Sequence, residues 1–119
     1  MNIEAFREYC LSKPGVAEDR PFDESTLVFK VMGKIFALTS LDSFPFRVNL
    51  KCEPEKAIQL RESYPGVQPG YHMNKVHWNT VRVGGLVGER ELRAWIDDSY
   101  QLVAAKLTKA QQQSLEGCQ

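Results

Sequence analysis

"TLVFKVMGKIFALTS", residues 26–40, is the stretch whose reading decides the fold class. Two runs rich in β-branched and aromatic residues flank Gly33-Lys34, the mark of an antiparallel hairpin with its glycine in the tight turn. Side chains alternate across a strand, so Leu27, Phe29 and Val31 share one face and Val28, Lys30 and Met32 the other. "FRVNLK" (46–51) alternates more cleanly, with Phe46, Val48 and Leu50 on one side and Arg47, Asn49 and Lys51 on the other. A strand with that pattern is buried on one face and presents a polar, basic outer face.

Working outward, a first helix is expected after Asn2, with Glu4 favourable in its first turn. Ile3, Phe6 and Cys10 give its apolar side, and Pro14-Gly15 ends it. "VAEDRPFDES" (16–25) reads as an acidic loop. "EPEKAIQLRESY" (53–64) reads as a short helix with Pro54 at its first position. "PGVQPG" (65–70) breaks the chain twice. "HWNTVRV" (77–83) is a strand ended by Gly84-Gly85. The longest helix is predicted over about 88–107, where Leu92, Trp95, Ile96, Ser99, Leu102, Val103 and Leu107 form a stripe at 3/4 spacing and Trp95 is core. Thr108 and Gln111 match a capping box for a last helix over 109–116. The expected architecture is one α+β domain over 1–119, an antiparallel β-sheet packed against helices.

Composition bounds the function. At 119 residues, 43% apolar and 25% charged, the chain is of a size and kind that buries one core. No apolar run approaches the roughly 18 residues of a membrane span. "MNIEAFREYC" puts Glu4 and Glu8 where a signal peptide needs an apolar segment, so the expected location is the cytoplasm. Cys10, Cys52 and Cys118 are odd in number, far apart and without CxxC spacing, and read as free thiols. Fifteen basic and fifteen acidic residues leave zero net charge, which counts against a general polyanion binder. The distribution is less even: no acid lies between Glu62 and Glu89, where His72, Lys75, His77 and Arg82 do.

Three segments carry a family resemblance: "YCLSKPGVAEDRPFDESTLVFKVMGKIFAL", "HMNKVHWNTVRV" and "DDSYQLV". In order and spacing, from about Ile3 to Leu107, they resemble the MmcQ/YjbR family of small bacterial proteins. The resemblance implies a sandwich similar to the bacterial frataxin (CyaY-like) arrangement, with a double-wing motif of hairpins, and a DNA-binding label. It implies no catalytic residue and no cofactor.

The segment "PGYHMNKVHWNTV" (69–81) concentrates the polar and aromatic chemistry. His72 and His77, five apart, point about 140° apart on a helix and to opposite faces on a strand. With no HExxH and no neighbouring cysteine or acid, no metal site is expected there. Neither a nucleophile motif nor a Gly-rich phosphate loop nor a paired-carboxylate frame occurs, so the expectation is a non-enzymatic protein without a cofactor.

Nucleic acid is the sharper proposal. Arg47, Lys51, Lys75 and Arg82 can contact phosphates, and His72, Asn74, His77 and Asn79 can supply polar recognition. Trp78 or His77 can stack on a base, and Lys30 and Lys34 flank a hairpin that can act as a wing. The plainer reading makes Trp78 a core anchor, Asn79 and Thr80 partners of backbone groups, and the lysines edge-strand charges. The expectation is a monomeric DNA-binding or adaptor module. Two alternatives stand beside it: a protein- or small-ligand-binding module at His72, His77 and Trp78, and frataxin-like metal handling by Glu18, Asp19, Asp23 and Glu24, which rests on fold analogy.

Overall fold

In the computed structural model, which describes residues 1–42, 44–70, 73–84 and 87–117, helix α1 (Ile3–Leu11) leads into strands β1 (Val16–Asp19), β2 (Thr26–Val31), β3 (Lys34–Ser40) and β4 (Arg47–Lys51). Helix α2 (Pro54–Ser63), strands β5 (Val67–Pro69) and β6 (Trp78–Arg82), and helices α3 (Glu89–Ala104) and α4 (Lys109–Gly117) follow. The six strands form one sheet in the order β1-β2-β3-β4-β6-β5, every neighbouring pair antiparallel. This is the α+β arrangement expected from the hairpin and the alternating 46–51 strand.

Local chemistry sets the boundaries. The Asn2 side chain accepts a hydrogen bond from the Ala5 N–H (2.8 Å) and caps α1. The β2–β3 hairpin closes on Met32 and Gly33, both at positive φ (49° and 84°), the two-residue turn whose twist matches that of its strands. Thr108 and Gln111 exchange their capping-box hydrogen bonds at 3.1 Å each to start α4. The Gly85 half of the glycine pair, and Cys118, lie outside the described residues.

Two segments expected as loop contain strands. Val16–Asp19 pairs with Val31–Val28 as the edge strand β1, although half of "VAED" is charged and most of it is exposed. A neighbouring strand's free hydrogen-bonding edge supplies the order there, and the charges suit an edge. Val67–Pro69 likewise pairs with β6 between its two Pro-Gly breaks, and Pro69 is tolerated because β5 is the opposite edge.

The core fills one face of the sheet. Leu27, Phe29, Val31, Phe36, Val48, Leu50, Val67 and Val81 meet Phe6 and Cys10 of α1 and Leu92, Trp95, Ile96 and Val103 of α3. Phe6 stands edge-on to Phe29 (5.5 Å) and Phe46 (5.9 Å), and Phe36 to Tyr100 (5.4 Å). Outside the core, Asp97 of α3 accepts from the Tyr9 hydroxyl (2.6 Å) and pairs with Lys13 (2.5 Å), tying α1 to α3.

One side chain mends a gap in the ladder. A bulge at Phe36 shifts the β2–β3 register, and the β3–β4 pairing stops at Ala37 and Leu50. Beyond it the Ser99 hydroxyl donates to the Phe36 carbonyl (2.5 Å) and accepts from the Lys51 N–H (2.8 Å). Helix α3 thereby satisfies two backbone groups that the diverging strands leave unmatched.

Candidate functional site

The described helices pack on the face just outlined, and no described helix covers the other, open face. Yet Val28 (0% exposed), Leu38 (8%) and Thr80 (8%) in its middle row are buried, while Arg47 and Arg82 at its end are exposed. Alternation assigns its side chains from the core outward. On β6, Val81 is core and Asn79 meets α2, so Trp78, Thr80 and Arg82 point the other way. On β4, Val48 and Leu50 are core, so Arg47, Asn49 and Lys51 do the same. Register lines these up as pairs: Arg47 opposite Arg82, Asn49 opposite Thr80, Lys51 opposite Trp78. The middle row continues through Gln68 on one side and through Leu38, Val28 and Asp19 on the other. Thr80 donates to the Asn49 side-chain oxygen at 2.5 Å.

Among the described strand residues, alternation assigns Lys30, Arg47, Lys51, Arg82 and Asp19 to this face: four cations and one acid. The remaining eleven cations and fourteen acids belong to the rest of the chain. A neutral protein thus carries a cationic sheet face and a net acidic remainder. Lys30 pairs with Asp19 (3.1 Å). Neither Lys51 nor Arg82 has an acid within ion-pair distance among the described residues. Burial, then the positive charges of Lys106 and Lys34, hold the half-buried Lys51 ammonium below the usual lysine value.

The residues expected at the site divide accordingly. Arg47 and Arg82 come together at one end of the open face, whereas Lys51 stands at the far end of β4, where its ammonium is near Lys106 and Lys34. Lys34 does not join them: it is opposite the core residue Val31, on the helix side of the sheet. Asn79 requires a correction. It is 2% exposed, accepts from the Arg61 guanidinium (2.7 Å) and donates to the Ala57 carbonyl (3.3 Å), so it cannot touch a partner on this surface. Alternation relative to Val81 sends it inward, and Thr80 takes the outward place. Trp78, read as a core anchor, is half-buried and stands outside the core cluster on the open face. Its backbone packs so tightly on Gly70 that a Cβ there would meet the Trp78 Cβ at 2.8 Å.

The 73–77 loop is built to hold its shape. The Asn74 side chain accepts from the Val76 N–H (2.9 Å), and its carbonyl accepts from the Trp78 N–H (2.9 Å). Lys75 Nζ donates to the Gly70 carbonyl (3.3 Å), and the half-buried His77 accepts the Cys52 N–H with its carbonyl (2.7 Å). Arg61 of α2, which sequence reasoning passed over, donates to the Lys75 carbonyl as well as to Asn79 and thereby anchors this loop. His72 lies outside the described residues.

The alternative sites fare differently. Clefts of about 580, 330 and 300 Å³ are lined by residues other than His77 and Trp78. Of the acids in the 18–24 loop, Glu18 is paired with Arg7 (2.5 Å), Asp19 with Lys30, and Asp23 accepts the Ser25 and Thr26 N–H groups (2.8 and 2.7 Å). Among the described residues no group of three metal-ligating side chains converges. No described helix is long and apolar enough to cross a membrane.

A family model described as YjbR matches residues 11–102. The chain belongs to the YjbR family. It is 43% identical to YbdF of Escherichia coli O157:H7 over 92% of this chain and 89% of that protein. To YjbR of Escherichia coli K12 it is 34% identical, over 85% and 86%. Among solved structures it is similar to protein DR2400 of Deinococcus radiodurans, family domain DUF419, with a TM-score of 0.89 and 40% identity over 97% of this chain and 88% of that one. A Pseudomonas syringae protein follows at TM-score 0.74 and 32% identity over 87% and 99%. The family resemblance read from "CLSKPG" and "HMNKVHWNTV" is therefore correct, and the fold is that of this family's solved members. The names of these relatives assign no activity.

Proposed function

We propose that the open sheet face is a nucleic-acid-binding surface, and that the protein works as a monomeric, cytoplasmic, non-catalytic module without a cofactor. The observation that carries this reading is the Arg47–Arg82 pair. Like charges directly opposite on neighbouring strands cost about 0.2–1 kcal/mol of sheet stability. A phosphate bound between two such guanidiniums turns that repulsion into attraction and suits their planar forks. Asn49 and Gln68 in the adjacent row add donors and acceptors, with Asn49 held by the buried Thr80 hydroxyl, and Trp78 adds an aromatic surface beside Lys51.

Size argues about how the face is used. Six strands at about 4.8 Å spacing span roughly 24 Å, twice the width of the major groove of B-DNA at about 12 Å. The face lies along a backbone and does not enter a groove. The β2–β3 hairpin offers little as a separate wing, because β1 flanks it to its tip: Val16 pairs with Val31, and the Met32 N–H donates to the Gly15 carbonyl (3.3 Å).

The test is a fluorescence-anisotropy titration of labelled oligonucleotides at several salt concentrations, for the wild type and an Arg47→Ala/Arg82→Ala variant. Three phosphate contacts on a single strand give a log–log salt slope of about −2, and losing two brings it to about −0.7. No binding at low salt, or an unchanged slope in the variant, overturns the proposal.

A further inference from the structure

Among the described residues, three of the five exposed large apolar side chains, including both exposed phenylalanines, lie in two loops at one end of the sheet. The other two, Ile58 and Val76, are in α2 and the 73–77 loop. Phe44 is 95% exposed, Phe22 67% and Leu41 40%. The β1–β2 loop, which carries Phe22, and the β3–β4 loop, which carries Leu41 and Phe44, emerge at the same end of the sheet. There Thr26 pairs with Ser40, and the Leu41 N–H donates to the Ser25 carbonyl (2.6 Å). Arg47 begins β4 and Arg82 ends β6 at that end too, so the Arg47–Arg82 row is the last row of the open face before the aromatic loops. Phe44 and Arg47 are three residues apart, within about 10 Å along the chain.

The charges of these loops separate them from the arginine row. Arg20 is accompanied by Asp23, Glu24 and Asp42; Asp23 is turned into its own loop, and Arg20 reaches the Glu24 carbonyl at 3.4 Å. Such a mixture gives a phosphate no net attraction. What the loops offer is two accessible aromatic rings at the end of the sheet that carries the cationic row. Phe44 is three residues before Arg47, and Phe22 is in the β1–β2 loop about three strand spacings, roughly 14 Å, across the sheet. Successive nucleotides of a single strand have that alternation of charge and flat apolar surface. In a duplex the bases are stacked inside, and neither ring can reach one.

From this placement we infer that Phe44 and Phe22 form a base-stacking platform for unpaired nucleotides at the Arg47–Arg82 end of the sheet, so that the protein selects single strands over duplex. The inference rests on the nucleic-acid reading of the open face and adds to it the class of nucleic acid.

The experiment titrates the full chain with a labelled oligothymidine and with a blunt duplex of equal length, and follows self-association by sedimentation. The variants are Phe22→Ala/Phe44→Ala, Phe44→Trp, Phe44→Leu and Arg47→Ala/Arg82→Ala. Since both rings are exposed, their loss leaves the fold intact. Stacking predicts that the double alanine variant weakens oligothymidine binding about 5- to 150-fold per base lost, with the salt slope unchanged. Phe44→Trp retains binding and Phe44→Leu does not. The inference is overturned if duplex binds as tightly as oligothymidine, if leucine serves as well as phenylalanine, or if the alanines change nothing. In each of those cases a loss in Arg47→Ala/Arg82→Ala leaves the open-face reading standing. It is also overturned if the alanines abolish self-association of the wild type, because the rings are then a contact between copies. Absence of any binding at low salt removes both.

Discussion

Replacing Ser99 with alanine isolates the one hydroxyl that closes the gap between β3 and β4. In the native chain it donates to the Phe36 carbonyl at 2.5 Å and accepts from the Lys51 N–H at 2.8 Å, and Ser99 itself is fully buried. Alanine leaves both backbone groups without that partner. An unsatisfied buried group costs about 1–3 kcal/mol, and the Lys51 N–H, only partly buried, regains some of its loss from water. The expected destabilisation is about 2.5 kcal/mol. Unfolding entropy near 2.1 cal/mol/K per residue gives about 0.25 kcal/mol/K for a chain of this length, so Tm should fall by roughly 10 °C. Urea titration followed by circular dichroism, with m unchanged, measures the difference. Ser114→Ala is the control: that hydroxyl meets the Ala110 carbonyl on an exposed face of α4, and the gain in helix propensity is the same. It should shift stability by less than about 0.5 kcal/mol. A cost for Ser99→Ala within that same range would refute the bridging argument.

Two other outcomes follow from the site and from the α1–α3 contact. Arg82→Thr relieves the like-charge pair with Arg47, so it should raise stability by about 0.2–1 kcal/mol while weakening nucleic-acid binding; a variant both less stable and equally tight contradicts the reasoning. Tyr9 is pushed up to about 12, by burial first and then by its hydrogen bond to Asp97. The folded state therefore keeps a proton that the unfolded chain releases near pH 10, and the tyrosine's contribution, complete below that pH, is lost as pH climbs through about 12. Cys10, pushed up to about 12 by burial, adds a loss of the same sign. Tyr9→Phe should flatten the fall in urea midpoint between pH 10 and 12 without abolishing it, and identical slopes would count against the assignment.

What the sequence disclosed depended on whether a signal was local. The hairpin was legible because β-branched runs flank a glycine that occupies positive φ, and α4 because its capping box lies within four residues. The strands β1 and β5 were not, since neither "VAED" nor "VQP" has strand character of its own; pairing with β2 and β6 imposes it. At the site, the strict alternation of 46–51 sets Arg47 and Lys51 apart from the core residues Val48 and Leu50. Asn79 was misplaced because its polarity outweighed its parity with Val81. Applying to 78–82 the alternation already used for 46–51 would have sent Asn79 inward and Trp78, Thr80 and Arg82 outward. Arg61 left no local signal, because its partners Lys75 and Asn79 are 14 and 18 residues away.

The uneven placement of charge also gives a molecule without net charge an electric dipole. An excess of up to about three elementary charges on the sheet face is balanced by acids spread over the helices and the loops at the sheet ends, within the 25 Å shortest dimension. In a uniform field such a body barely migrates near its pI of about 6.7, yet it rotates. Near a polyanion, where the field is steep, it turns sheet-first and is drawn in, so capture can be fast at low salt despite zero net charge. Retention on both a cation exchanger and an anion exchanger at neutral pH, each released by modest salt, would be its chromatographic expression.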